Sequence, residues 1–412
     1  MRIGLYGLFG VGNIGNDGSL QAMLNFLRRV VPDAEFTCIC GNPVKTGRDF
    51  QIGGLPIRPP GRTNRIYRIL DPLLLRLPRA IDLCIWILRQ ASQFDVILVP
   101  GTGILEDYGD SPWRDPLSLF LWCLAARITR TKFGFVSIGA GPIRKAGNRR
   151  MLTAAASLAT YRSFRNQELK DFMTKIGLNA KHDLVFGDIA FGLPDPTPPK
   201  AEVGNRVPVI GIGLMDYRGW YCIDEKIYET YIEKVSTFAI WLLDNGYNVR
   251  LLTGQASDQI AIDDTIKAIE RQRPQFVQNE RIIAEYAVSL DSLMRQTMTT
   301  DIAVVTRFHN VVCAIKVGVP VIATGYSGKH LHLLEGAGLG EYFQDVESLD
   351  VDLLINQFKK LEAHKENYLP GMRRRVEFIK AELKRQEAIL EAKFLAGDEK
   401  VIEALPAAPG KI

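Results

Sequence analysis

Short apolar runs of strand length alternate along this chain with longer stretches whose apolar residues recur at helical spacing. That alternation marks parallel α/β architecture, in which strands buried on both faces read as near-continuous apolar runs. The runs Ile3 to Leu8, Phe36 to Cys40, Val96 to Pro100, Phe133 to Ile138, Ser163 to Arg165 and Leu184 to Phe186 predict one set of strands. After the first of them Leu20, Met23, Leu24, Leu27 and Val31 predict a helix. The pattern restarts with Val207 to Ile212, Val249 to Leu252, Arg281 to Ile283, Ile302 to Val305 and Val319 to Ala323. A helix over Ile227 to Asp244 stops at Asn245-Gly246. From Val351 to about Glu399 the chain is charged and reads as helix, with a break expected near Pro370.

Between the two sets of strands, Gly192 to Lys200 carries four prolines, which makes it stiff and unable to join either sheet. The expected fold is therefore α/β: two Rossmann-like domains facing across a cleft (a GT-B-like plan), with a long C-terminal helical segment. The boundaries follow: residues 1–194 and 207–345 for the domains, 195–206 for the Pro-rich linker, and 346–412 for the terminal helices and tail. A length of 412 residues with 47% hydrophobic content suits two cores. A net charge of +5 is too small to suggest a nucleic-acid partner. Six cysteines, Cys38, Cys40, Cys84, Cys123, Cys222 and Cys313, lie in apolar surroundings without a C-x-x-C pair, so free thiols in a reducing compartment are expected. The chain opens directly on a strand, which points to a cytoplasmic protein.

Several strand ends carry residues suited to chemistry. The loop Gly10-Val-Gly12-Asn13-Ile-Gly15-Asn16-Asp17 joins strand to helix, where glycines permit close backbone approach and the helix N-terminus favours anions. A dinucleotide fingerprint can be drawn through its glycines, yet Glu35 precedes the second strand instead of ending it, which speaks against a nicotinamide cofactor. Glycine turns Gly101-Thr102-Gly103 and Gly139-Ala-Gly141 follow two further strands; three such turns on one edge suggest a lined binding edge. The sharpest segment is Thr306-Arg307-Phe308-His309. Arg307 and His309, two apart on a strand exit, should point one way while Phe308 packs away. Arginine offers a fork for carboxylate or phosphate, and histidine a proton near neutral pH. The next strand ends in Tyr326-Ser-Gly-Lys329, a second anion-friendly turn. His330 and His332 form an H-x-H pair without a third ligand at a recognisable spacing, so no metal is expected.

With these residues the chain resembles the polysaccharide pyruvyl transferase family up to about residue 345. The resemblance is carried by Arg307-Phe308-His309, Ala314 to Pro320 and Tyr326 to Lys329, and supported by Gly12 to Gly15, Pro100 to Gly103, Gly139 to Pro142 and Phe164-Arg165 through Gly177. It departs at Asn16, where the family shows an acidic residue, at Asn166, and at Asp188-Ile189 in place of Asp-Pro. The resemblance implies transfer from phosphoenolpyruvate to two sugar hydroxyls, giving a pyruvate ketal and phosphate, with no cofactor. It implies His309 and Arg307 as catalytic residues. Arg307, Lys329, Tyr326 and Arg165 would contact the donor, and Gly12, Asn13, Gly15, Asn16, Asp17, Gly101, Thr102 and Gly103 the acceptor. A nucleotide-sugar-dependent GT-B glycosyltransferase is the main rival, and a non-catalytic sugar- or phosphate-binding relative a second. The segment Arg62 to Gln90, with Arg65, Arg68, Arg76, Arg79 and Arg89 among leucines, leaves two readings open. It is either helix packed on the first sheet, or a surface that rests on the inner face of a membrane where a lipid-linked acceptor would lie.

Overall fold

The computed structural model describes residues 1–60, 77–107, 111–198, 206–219 and 223–396. They form two compact units. One comprises Met1–Val11, Ser19–Ile189 and the helix end from Glu382 on; the other comprises Gly12–Gly18 and Ala190–Ala381. The C-terminal helix is thus no unit of its own, and the glycine loop after the first strand counts with the second unit.

The first unit is built on a seven-stranded sheet in the order β3-β2-β1-β4-β5-β6-β7, with every neighbouring pair parallel. Its strands are β1 (Arg2–Gly7), β2 (Glu35–Cys40), β3 (Gly53–Pro56), β4 (Val96–Pro100), β5 (Lys132–Ile138), β6 (Tyr161–Phe164) and β7 (Leu184–Val185). One core cluster gathers Trp122, Phe133, Phe135 and Leu152, with Trp86 packed edge-on to Trp122 at 6.2 Å. A second gathers Leu20, Leu24 and Leu27 of the helix Ile14–Val30 with Ile389, Leu390 and Phe394. The second unit has a six-stranded parallel sheet, β10-β9-β8-β11-β12-β13. Its strands are β8 (Val209–Gly213), β9 (Asn248–Leu252), β10 (Ile282–Ala284), β11 (Ile302–Val305), β12 (Val321–Gly325) and β13 (Phe343–Asp345).

In each sheet the order reverses beside the first strand of its unit, β1 or β8, which is where open α/β sheets bind ligands. The central strands fall where the apolar runs predict them. β3 and β13 are not foreseen. Both are edge strands of three or four residues, and Gly53-Gly54-Leu55-Pro56 has neither the alternation nor the apolar density of a strand signal.

The expected break at Pro370 is absent: one helix runs from Val351 to Leu390 with the proline inside it. Loss of one N–H is offset by burial on both sides, with Phe358 and Leu361 before the proline and Met372 and Ile379 after it in the core. At Gly371 a Cβ would lie 2.9 Å from the Ala337 carbonyl oxygen, so the helix approaches its neighbour closely there. The far end docks on the first sheet. Gln386 donates to the hydroxyls of Ser137 (3.1 Å) and Ser163 (2.8 Å), and Ser137 sits at φ 47° where the β5–β6 register shifts. Phe394 meets Tyr161 edge-on at 6.0 Å and fills the space over Gly134.

The Pro-rich linker is described only in part, since residues 199–205 lie outside the described set, as does Cys222. The side chains of Arg62, Arg65, Arg68, Arg76 and Arg79, on which the membrane reading rests, lie outside it as well. Among the described residues no helix is long and apolar enough to cross a membrane.

Truncating a buried aromatic removes its transfer energy and leaves a cavity, at a cost of about 3–5 kcal/mol. Phe394→Ala should lose that much in urea denaturation, although it lies 260 residues from Gly134 in sequence. A loss under ~1 kcal/mol would show that the helix end carries no core energy.

Candidate functional site

The second sheet presents its carboxyl edge through four turns, and one buried carboxylate joins three of them. Asp258 is fully buried. Its Oδ1 accepts from the backbone N–H of Asp216, after β8, at 3.2 Å; its Oδ2 accepts from that of Gly254, after β9, at 3.1 Å. Arg307, after β11, donates to it from Nε (3.0 Å) and Nη2 (2.6 Å). Burial works against the guanidinium's charge, but the neighbouring Asp258 outweighs it and the Arg307 pKa rises. The expectation placed Arg307 as an open anion fork. In the structure Asp258 holds one edge of that fork, and the edge with Nη1 is the one left for a ligand.

Arg307 occupies the N-cap position of the helix Phe308–Val317, whose N-terminus adds a partial positive field. Phe308 is buried and packs edge-on against His309 (5.4 Å) and His330 (5.6 Å), while Arg307 and His309 remain half-buried. A hydroxyl chain from Tyr231 through Thr306 to Thr324, 2.8 Å at each step, ties this strand end to its neighbours. His330 is fully buried, with its ring nitrogens 3.0 Å from the Ser327 carbonyl oxygen and 3.1 Å from that of Thr306. It braces two adjacent turns. Among the described residues no three His, Cys, Asp or Glu side chains gather as a metal site would require. Tyr326 stacks on Tyr217 at 5.9 Å, and the Lys329 ammonium lies 5.1 Å from the Tyr326 ring and 5.6 Å from that of Phe308. The Tyr217 hydroxyl donates to Glu347 at 2.6 Å; burial, then that hydrogen bond, push its pKa far up, so it stays a phenol.

The segment Gly12–Gly18 joins this group. Ala256 donates its N–H to the Gly12 carbonyl at 3.0 Å, and Asn13 bridges Gln255 in antiparallel fashion. The Asn13 side chain accepts from the N–H groups of Gly15 (3.1 Å) and Asn16 (3.2 Å), capping the helix that starts there. A Cβ on Gly15 would lie 1.9 Å from His309 Nδ1, so the imidazole rests directly against the glycine backbone. Gly12, Asn13, Gly15, Asn16 and Asp17, assigned to the acceptor on sequence grounds, therefore stand in one unit with Arg307, His309, Tyr326 and Lys329.

The remaining predicted residues belong to the first unit. Gly101, at φ +55°, has no room for a Cβ beside Ile189. The turns after β4 and β5 are laced together: Gly139 donates to the Thr102 carbonyl (2.9 Å), and a Cβ on Gly139 would meet Gly103 Cα at 2.9 Å. Arg165 is buried, ion-paired to Asp188 at 3.3 Å, and packed under Gly139. Within the first unit its charge is balanced by Asp188. Asn166 caps the helix Gln167–Lys175 through the Leu169 N–H (3.0 Å), a task asparagine performs as well as aspartate.

Two residues here escape sequence reasoning. Asp258 reads as an ordinary helix start. Asn310 is 1% exposed, with neither amide atom hydrogen-bonded, and its amide fits between Gly213 and Gly254 beside the Arg307 stem.

Breaking a buried ion pair by removing one charge costs about 3–5 kcal/mol. Asp258→Asn should lose that much in chemical denaturation; a change under ~1 kcal/mol would show the pair to be a surface-type contact. Gly15→Ala should displace one imidazole alone: of the five histidine ring signals in a heteronuclear NMR spectrum, only that of His309 is expected to move strongly.

The comparisons agree with this picture at the level of fold. Across 99% of this chain and 100% of the other, the structure is similar to the MnaA–UDP co-structure from S. aureus, at TM-score 0.63 and 11% identity. A glycosyltransferase from Rickettsia africae aligns at TM-score 0.58 and 13% identity, over 96% of this chain and 98% of the other. The UDP-GlcNAc 2-epimerase from Neisseria meningitidis bound to UDP-GlcNAc aligns at 0.55 and 11%, over 90% and 94%. At such identities these likenesses establish the two-domain GT-B type of fold alone. No curated protein matches the chain in sequence. The polysaccharide pyruvyl transferase model matches residues 13–328, about three quarters of the chain, with Asp258, Arg307, His309 and Tyr326 among them. The chain belongs to the polysaccharide pyruvyl transferase family.

Proposed function

We propose that this protein transfers the pyruvyl group of phosphoenolpyruvate to two hydroxyls of a sugar residue in a polysaccharide or its precursor. The products are a pyruvate ketal and phosphate. The observation that carries this reading is the Arg307–Asp258 pair, which fixes a guanidinium edge beside His309 at a helix N-terminus. In the reaction the enol methylene takes up a proton, and the carbon bearing the phosphate becomes cation-like. One sugar hydroxyl adds to it, and the second displaces phosphate. The two hydroxyl protons balance the equation: one is equivalent to the new methyl hydrogen, and the other leaves with phosphate.

His309 moves the proton, as acid toward the methylene or base toward the hydroxyl. Arg307 grips the donor's carboxylate or phosphate, Lys329 steadies the departing phosphate, and Tyr326 closes the donor side. Asn310 supplies a further polar contact from its buried amide. Phosphoenolpyruvate acts as substrate, and no resident cofactor enters. We place the reaction in the cytoplasm, in keeping with the thiols of Cys38, Cys40, Cys84, Cys123 and Cys313, all free of disulfides.

The test is calorimetric titration with phosphoenolpyruvate, UDP and GDP. Saturable binding of phosphoenolpyruvate alone is expected. A charge-assisted hydrogen bond is worth about 1.5–3 kcal/mol, so Arg307→Ala and Lys329→Ala should each weaken it at least ~tenfold. Lys329→Ala guards against a folding artefact, because it leaves Asp258 paired. Binding of UDP or GDP without phosphoenolpyruvate would overturn the proposal in favour of nucleotide-sugar chemistry.

A further inference from the structure

Within the first unit a cavity of about 370 Å³ opens at the end of β1, where the sheet order reverses. Its size falls at the small end of the roughly 300–1,000 Å³ of ligand pockets. Ile57, Ile104 and Leu152 supply apolar wall, and Tyr6 adds its ring. Among the described residues the charged ones lining it are Glu106, Asp107, Arg114 and Asp115, three carboxylates against one guanidinium. Such a lining disfavours a multiply charged anion such as phosphoenolpyruvate, and its carboxylate oxygens call for hydrogen-bond donors on the ligand.

Glu106 carries the argument. It is 7% exposed, and its Oε2 is buried without a hydrogen-bond partner. Its stem packs closely against Gly141, where a Cβ would lie 2.4 Å from Glu106 Cγ. Asp107, next in sequence, serves the fold: its Oδ2 accepts from the N–H groups of Arg144 (2.9 Å) and Lys145 (3.2 Å). A carboxylate left buried with unmet hydrogen-bonding capacity is costly, and hydroxyl donors relieve that cost. Burial, then the charge of Asp115, raise the Tyr6 pKa, so its phenol keeps its proton.

We infer that this cavity binds a neutral hexose residue, with Glu106 accepting hydrogen bonds from its hydroxyls and Ile57, Ile104 and Leu152 packing on its apolar face. Identifying that hexose as the acceptor of pyruvyl transfer rests on the proposed function; the sugar site does not. The closing experiment keeps the two apart. Methyl glycosides of β-galactose, β-glucose and α-mannose are titrated by saturation-transfer NMR, without phosphoenolpyruvate, against the native protein, Glu106→Gln and the cavity-filling Leu152→Trp.

At least one glycoside should bind saturably. Glu106→Gln should weaken it at least ~tenfold, as expected for a hydrogen bond to a charged group, and Leu152→Trp should abolish it. Both variants should bind phosphoenolpyruvate as the native protein does. Glu106→Gln should melt no lower than the native protein, because it removes a buried charge with one oxygen left without a partner. Absence of binding by all three glycosides, or a Glu106→Gln affinity within twofold of native, would overturn the assignment. Glycoside binding by a protein that ignores phosphoenolpyruvate would leave this site standing and sink the transfer reaction alone.

Discussion

The second unit is organised around one buried carboxylate. Asp258 reaches no solvent, and it accepts from the backbone after β8, from the backbone after β9 and from the side chain after β11. Three loops that diverge in sequence are thereby held to one point. A charge in that position survives only because each of its oxygens has donors. The same bond changes what Arg307 can offer. Paired with Asp258, the guanidinium acts less as a lone cation than as a dipole whose positive edge is presented. A dipole's pull fades faster with distance than a charge's, so contact geometry counts for more at this edge than attraction from afar.

Much of the fold was legible because its information is local. Buried parallel strands announce themselves as apolar runs, and β4 and β11 fall on the residues expected. The edge strands β3 and β13 were hidden, since a few residues paired on one side need neither alternation nor density. The proline in the last helix misled for a related reason. Its local cost is plain in sequence, whereas the burial of Phe358 and Met372 that overrides it is a property of the packed unit.

The candidate site divides along the same line. Arg307, His309, Tyr326 and Lys329 stand out in the sequence because their types and spacing suit a chemistry, and the structure sets them in one unit. Asp258 was not, since its partner lies 49 residues further on and nothing about a Ser-Asp helix start distinguishes an ion-pair acceptor from a cap. Arg165 adds a partner of the same kind: its buried pairing with Asp188, 23 residues on, is no more visible in sequence. Glu106 was invisible for a third reason, because an unmet hydrogen bond can be recognised only where every neighbour is in view.

The glycines of the first loop read as places where a ligand approaches the backbone, and the structure shows one of them against a side chain of the chain itself. At Gly15 the absent side chain is the space that the His309 imidazole fills. A position of this kind has no neutral neighbours in mutational space, since even a methyl group collides with the ring. Any reshaping of this site must therefore run through walls elsewhere, while the contour around the histidine stays as it is.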